Sequence, residues 1–270
     1  GDVLVQYKDE NYANPKQYRY EGWLIKDNKN SLILAQNDTR PIDIIEIYEN
    51  YKGDGKDKAV DTVRTYEEAF AYVTKKADPT IEYTFRNIYD ADFRTEDAEA
   101  LEKLDKTVAK GLVFIGGDYQ AGVGGTNVDN KYPVMARTTQ FTMPSDVPVT
   151  WDETVYYTRT ASEKVEFINN GGELTFGKNF RNRGKNDYLN YGFIVYGGAK
   201  SGECDKNVTI NLYAGQFYEI YGGNKEGKHT GNVKINLSAT TEEMSNRNYL
   251  KIYRLDGASA DNGTNDTMSN

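Results

Sequence analysis

Residues 195–214 read VYGGAKSGECDKNVTINLYA, and residues 220–239 read IYGGNKEGKHTGNVKINLSA. The second stretch begins 25 residues after the first with no gap, and 11 of the 20 aligned positions are identical. A period of this length is typical of solenoid proteins, in which each repeat forms one turn of a coil. The pair therefore predicts a parallel β-solenoid over roughly the last third of the chain.

Each copy contains a strand with alternating apolar side chains, such as VTINL at residues 208–212. A single copy would leave its apolar side in water, whereas stacked coils bury it and bring strands to about 4.8 Å from each other. A weaker third copy, LKIYRLDG from Leu250, aligns with FIVYGGAK and YEIYGGNK. This alignment places Tyr253 in line with Tyr196 and Tyr221.

The region before residue 111 contains two predicted helices. Thr65 and Glu68 form a capping box at the start of the first helix, and Pro79 follows its end. The second helix is predicted over residues 95–110, with Gly111 as its C-terminal cap.

Short apolar alternations between turn residues predict strands elsewhere. We expect three regions: a β-rich segment at 1–58, an α/β cap with two helices at 59–110, and a parallel β-helix at 111–270 that is truncated at its C-terminal end. The predicted strands outside the repeats are 3–7, 18–25, 31–35, 42–48, 81–85, 112–115, 139–143, 155–158, 165–168 and 174–176.

The composition limits the classes of function. The chain of 270 residues carries 41 acidic and 33 basic side chains, a net charge of -8, and such a surface repels phosphate backbones. The 22 tyrosines argue for a folded β-rich protein. One cysteine, Cys204, excludes an internal disulfide, and no apolar stretch approaches the ~20 residues that span a bilayer. We expect a monomer with no nucleic-acid partner and no membrane insertion.

The pattern Tyr-Gly-Gly-x-Lys-x-Gly followed by Asn-Val-x-Ile-Asn-Leu, with Glu67-Glu68-Ala69 upstream, resembles large cell-surface proteins of Gram-positive gut bacteria. The resemblance is close over residues 192–239 and loose over 60–257. It implies a right-handed single-stranded parallel β-helix, export, and association with the cell surface or cell wall. It also implies an adhesin-like role, without identifying a ligand.

Motifs for catalysis are sparse. The single histidine, His229, aligns with Cys204 of the preceding coil, but two ligands make only half of a zinc site, and we interpret both as variable turn positions. One histidine also argues against Ser-His-Asp and Cys-His catalysis. The glycine-rich residues 122–127 lack the third glycine of a dinucleotide fingerprint.

Many pectin-cleaving enzymes are β-helices, and glycosidases need a pair of carboxylates at a set separation. Their combined signature of Asn-x-Asp, Asp-Asp and Gly-His-Gly motifs is missing, as is the basic cluster of β-helix lyases. We therefore expect no catalysis, and we keep a polysaccharide-active hydrolase or lyase as the alternative.

Two pairs of aspartates are weak calcium candidates, because they gather oxygen ligands in predicted loops. They are Asp90 with Asp92, and Asp256 with Asp261. Neither pair follows the EF-hand spacing, so we interpret them as solvated carboxylates and expect no cofactor.

The strongest binding candidate is an outward ladder of Tyr196, Tyr221 and Tyr253, flanked by Lys200 and Lys225. Sugar rings and proteins both bind to exposed aromatic strips. Stacked tyrosines also stabilise neighbouring coils by cross-strand pairing, which is the alternative interpretation. We expect a non-catalytic, adhesin-like or structural protein that binds a host or dietary glycan or a surface protein.

Overall fold

The computed structural model describes residues 42–47, 65–87, 91–116, 133–157, 164–184, 193–238 and 250–260. Over these residues the protein is mainly β, with parallel sheets and two helices. It divides into two compact units, the first formed by residues up to 92 and 106–134, the second by 93–105 and 135–270. The predicted division at residues 58 and 110 stays a prediction, and the predicted strands at 3–7, 18–25 and 31–35 lie outside the described residues.

The elements follow one another in chain order. They are β1 (Ile42–Ile47), α1 (Tyr66–Lys76), β2 (Glu82–Asn87), β3 (Ala91–Phe93), α2 (Thr95–Glu102), β4 (Gly111–Gly116), β5 (Val134–Ala136), β6 (Gln140–Thr142), β7 (Val149–Asp152), β8 (Thr154–Tyr157), β9 (Val165–Ile168), β10 (Gly172–Phe176), β11 (Arg181–Gly184), β12 (Phe193–Tyr196), β13 (Val208–Leu212), β14 (Gly215–Tyr221), β15 (Val233–Leu237) and β16 (Leu250–Asp256).

In the first unit β1, β2 and β4 are adjacent parallel strands, and α1 packs on them. The ring of Phe70 in α1 lies 5.1 Å from that of Phe85 in β2, which lies 4.9 Å from that of Phe114 in β4. The side chain of Thr65 accepts a hydrogen bond from the Glu68 amide, which confirms the predicted start of α1.

Helix α2 is shorter than predicted. It ends at Glu102, after which the Leu104 amide donates to the Leu101 carbonyl in a tighter turn. The prediction that the helix reaches residue 110 is wrong, because residues 105–107 are all exposed and offer no buried side to hold another turn. Gly111 is the first residue of β4 and not a helix cap. Among the described residues no helix combines the length and the apolar character needed to cross a bilayer.

The second unit consists of parallel sheets with the strand orders β7-β10-β13-β15, β6-β9-β12-β14-β16 and β5-β8-β11. The two repeat copies lie side by side in two of these sheets. Ile210 of β13 pairs with Ile235 of β15, and Tyr196 of β12 pairs with Tyr221 of β14, each across one repeat period. The prediction that residues one period apart become neighbours is confirmed for both strands of the repeat.

Aromatic rings fill the interior of the second unit. Phe141 stacks on Phe93 at 4.6 Å and on Phe167 at 4.7 Å. Phe176, from the sheet of β10, meets Phe167 edge-on at 5.2 Å and Phe217 at 4.9 Å. All five side chains are fully buried, so the strands β6, β9 and β14 of the five-stranded sheet each have one side packed against the core. Its other side forms the candidate site.

Candidate functional site

The side of the sheet β6-β9-β12-β14-β16 that faces away from the core carries the candidate site. Strand alternation sends Val195 and Ile220 into the core and the residues that flank them outward. One outward row, in strand order, is Gln140, Glu166, Ile194, Glu219 and Arg254, and a second is Thr142, Ile168, Tyr196, Tyr221 and Asp256. We call this surface, with Tyr218 and Tyr253, the tyrosine face.

Two of the predicted ladder tyrosines are stacked on each other. The rings of Tyr196 and Tyr221 lie 5.5 Å apart with 7° between their planes. Both are buried, with 6% and 5% of their surface exposed, because Ile168 and Ile194 pack around them. Their ring faces are therefore occupied by neighbouring side chains.

The third predicted member lies elsewhere on the face. Tyr253 stacks on Tyr218, with centroids 5.3 Å apart and planes 4° apart, and it is 72% exposed. Tyr221 pairs instead with Asp256. The prediction of a single ladder is wrong at this strand, and the tyrosines form two separate stacks.

The cause is the spacing of the apolar residues in the last two strands. In β14 the buried residues Phe217 and Ile220 are separated by two half-buried residues, where strict alternation allows one. Ile252 and Leu255 of β16 have the same spacing and pair with them. The observed register is thus offset by three positions from the predicted alignment of Tyr253 with Tyr221.

Cationic side chains cover three of these rings. Lys225 Nζ lies 5.9 Å from the Tyr196 centroid, and Arg254 Cζ lies 5.3 Å from that of Tyr221. Lys164 Nζ lies 3.0 Å from the centroid of Tyr218. Cation–π contacts of this kind contribute about 0.5–1 kcal/mol at exposed sites.

Of the two predicted lysines, only Lys225 is seen at the stacked rings. Its Nζ donates to Oε1 and Oε2 of Glu166 at 2.8 and 2.7 Å, and Gln140 Nε2 donates to the same carboxylate at 3.0 Å. Lys200 is exposed, and its backbone carbonyl accepts from the Glu226 amide.

The buried tyrosines stay protonated at neutral pH. Burial raises the pKa of Tyr196, and the carboxylate of Glu166 raises it further. Burial also raises the pKa of Tyr221. At Lys164 burial lowers the pKa, an effect that the nearby Glu219 partly offsets. Tyr196 and Tyr221 are thus neutral phenols beside the ion pair of Lys225 and Glu166.

The calcium candidates remain predictions. Asp90 and Asp261 lie outside the described residues, and Asp92 lies on β3. Asp256 accepts hydrogen bonds from Arg254 and from the amide of Ala258. Across the described ranges no three His, Cys, Asp or Glu side chains converge as a metal site.

Sequence reasoning missed Glu166, Lys164 and Arg254, which reach the tyrosines from other parts of the chain. The signal for Glu166 and Arg254 is their place in the outward row, which only the registers of the sheet reveal. No family model matches the sequence, and searches of the curated proteins and of the solved structures find no similar chain.

Proposed function

We propose that the protein is a non-catalytic, adhesin-like protein of a bacterial cell surface or cell wall, which binds a glycan through the exposed end of the tyrosine face. The observation that carries this proposal is the ring of Tyr253, which is 72% exposed although it is stacked on a second ring. Such a ring is an apolar platform in water. Because the stack already holds the side chain, little further conformational entropy is lost when a ligand binds.

The two stacks differ in what they offer a ligand. Tyr196 and Tyr221 have their faces covered, so they stabilise neighbouring strands. Tyr253 lies on β16, the last strand of its sheet among the described residues, and the ring face away from Tyr218 is open to a sugar ring. Arg254 and Asp256 pair at 3.4 Å nearby and supply polar groups for hydroxyls.

The proposed fold is a right-handed single-stranded parallel β-helix. Its support is the repeat period that two sheets share between the repeat copies, since one turn of a coil must add one strand to each sheet. The cell-surface location rests on the resemblance of the Tyr-Gly-Gly repeats to surface proteins of Gram-positive gut bacteria.

The carboxylates of the tyrosine face bear on the enzyme alternative. Glu166 and Glu219 lie on one row with one strand between them, so their Cα atoms are roughly 10 Å apart. Both oxygens of Glu166 are bound by Lys225, which suits a structural anion better than an acid or base catalyst. This contact favours the binding function.

A glycan array tests the proposal directly. The chain is applied to immobilised host and dietary glycans beside Tyr253→Ala and a control, Tyr213→Ala, which changes a half-buried tyrosine outside the tyrosine face. We expect Tyr253→Ala to lower affinity by roughly tenfold, the equivalent of one aromatic contact, and Tyr213→Ala to leave it unchanged.

Two results would contradict the proposal. The first is glycan binding that Tyr253→Ala leaves intact while its thermal unfolding matches that of the parent chain. The second is release of reducing ends from any polysaccharide, abolished in Glu219→Gln, which would establish the enzyme alternative.

A further inference from the structure

Cys204 and His229 are direct neighbours on adjacent coils. They form an isolated parallel β-bridge, in which Cys204 makes backbone hydrogen bonds to the residues on either side of His229. The Cys204 amide donates to the Lys228 carbonyl, and the Thr230 amide donates to the Cys204 carbonyl, both at 2.9 Å. Paired residues on adjacent strands direct their side chains to the same side, so the thiol and the imidazole lie next to each other.

Both side chains are buried, and the imidazole is unsatisfied. Cys204 is 7% and His229 is 5% exposed. The backbone of Gly231 is close enough to oppose the effect of burial on the pKa of the ring, but it does not meet hydrogen-bond geometry. Neither ring nitrogen of His229 has a hydrogen-bond partner within the described part of the chain. An unpaired buried polar group costs about 1–3 kcal/mol, and in native proteins it calls for a specific explanation.

Among the described residues, the polar side chain beside the ring has its hydrogen bonds elsewhere. Nδ1 lies 2.9 Å from the position that a Cβ on Gly198 would occupy, so the imidazole packs against this backbone. Asn224 is beside it, but its Nδ2 donates to the carbonyls of Gly202 and Lys228 and its Oδ1 accepts from the amide of Ala199. The nitrogens of the imidazole therefore point to a ligand that comes from outside the chain.

We propose that the thiolate of Cys204 and the imidazole of His229 bind one soft monovalent metal ion, Cu(I), in two-coordinate geometry. Thiolate and imidazole are both ligands that copper favours. Bonds of about 2.3 Å to sulfur and about 2.0 Å to nitrogen span roughly 4.3 Å when collinear. Adjacent strands lie about 4.8 Å apart, so the backbone bridge brings the two residues within reach of such a span.

The number of ligands selects the metal. Zinc requires four ligands, and the described residues provide no third His, Cys, Asp or Glu at this position. The burial of the pair disfavours the two waters that zinc would need to complete its shell. Cu(I) is stable with two ligands, and on binding only the thiol proton leaves, with no change of oxidation state.

The test is an anaerobic titration of the full chain with Cu(I) in competition with bicinchoninate, a coloured Cu(I) chelator. We expect one equivalent of Cu(I) to be withdrawn from the chelator. Cys204→Ser and His229→Asn should each lose this binding at least tenfold, and Thr230→Ala, a change at the exposed neighbour, should retain it. Failure of the parent chain to compete, or undiminished binding in His229→Asn, would overturn the proposal.

X-ray absorption at the copper edge keeps the test decisive if a variant fails to fold. The parent chain loaded with one equivalent should show one sulfur and one nitrogen neighbour of the metal. A spectrum with two sulfur neighbours would mean that copper bridges two chains through Cys204, and it would contradict the assigned site.

Discussion

The ring of Tyr221 lies flat on the ring of Tyr196, at 5.5 Å and 7°, although a full repeat period separates them in the sequence. Other identical residues of the two copies also contact their own counterparts. Asn236 Nδ2 donates to Asn211 Oδ1 at 2.7 Å. Identity at these two positions thus has a physical cause, since each residue bonds to or packs on its counterpart one repeat period away.

Double-mutant cycles test the two separate tyrosine stacks. For Tyr218→Leu and Tyr253→Leu we expect a coupling of about 0.5–1.5 kcal/mol in the free energy of unfolding, because these rings stack at 5.3 Å. Urea unfolding of the two single variants and the double variant measures it.

The matched control is the pair Tyr221→Leu and Tyr253→Leu. These rings belong to different stacks, since Tyr221 is opposite Asp256, so the two effects should add within about 0.5 kcal/mol. Coupling in this control and additivity in the first cycle would mean that the last strand follows the alignment predicted from sequence.

Asn224 joins two stacked loops, and its loss should be costly. Its side chain is fully buried and makes three hydrogen bonds, to the backbone of Ala199, Gly202 and Lys228. Asn224→Ala leaves these three backbone groups without that hydrogen-bond partner. We expect a loss of about 2–4 kcal/mol in the free energy of unfolding.

Asn232→Ala is the control for this change, because Asn232 is exposed and is held through its backbone amide, which donates to Asn207. We expect it to stay within about 0.5 kcal/mol of the parent chain in the same urea titration. Equal losses of unfolding free energy in the two variants would show that the side-chain hydrogen bonds of Asn224 do not stabilise the contact between the loops.

Elements with a strong local signal were predictable from sequence. The pairing of β13 with β15 follows from the identical residues at a fixed spacing, and the start of α1 follows from the Thr65 cap. Strand β11, Arg181–Gly184, shows no apolar alternation. Asn182 stabilises it by bonding both the amide and the carbonyl of Gln216, a contact between residues 34 apart in the sequence that local pattern does not encode.

The candidate site was predictable only in part, because the interval between paired residues differs from one strand pair to the next. Paired residues are one repeat period apart between β12 and β14, but the interval is longer between β14 and β16, where Tyr221 pairs with Asp256. A fixed period therefore finds Tyr196 beside Tyr221 and misplaces Tyr253. The Lys225–Glu166 pair spans 59 residues, and no repeat spacing indicates it.

Gly198 and Gly202 should respond differently to alanine. A Cβ on Gly198 would collide with Asn224 Oδ1, which is itself bound to a backbone amide and has no room to move. We expect Gly198→Ala to lower the free energy of unfolding by more than about 2 kcal/mol. Gly202 has open space around it but a φ of +84°, so Gly202→Ala should cost only about 1–2 kcal/mol.

Thermal unfolding of both variants, monitored by circular dichroism, checks the order of the two effects. A larger loss in Gly202→Ala than in Gly198→Ala would contradict the close packing of the loop against Asn224.

The single histidine gives the chain a titration that can be isolated. Burial lowers the pKa of His229, an effect that the backbone of Gly231 partly offsets. The unfolded chain, with a histidine pKa near the usual value of about 6.5, thus binds a proton more readily than the folded chain. The stability that comes from burying the neutral ring is complete above about pH 6.5 and is lost as the pH falls toward the folded pKa.

His229→Leu removes this titration and leaves every carboxylate in place. Without metal, we expect the free energy of unfolding in urea to fall more between pH 7.5 and pH 5.5 in the parent chain than in the variant. Because the chain contains 1 histidine, the difference between the two slopes belongs to residue 229 alone. Equal slopes would mean that the ring is protonated or solvated in the folded state, and the argument for an unsatisfied imidazole beside Cys204 would fail with it.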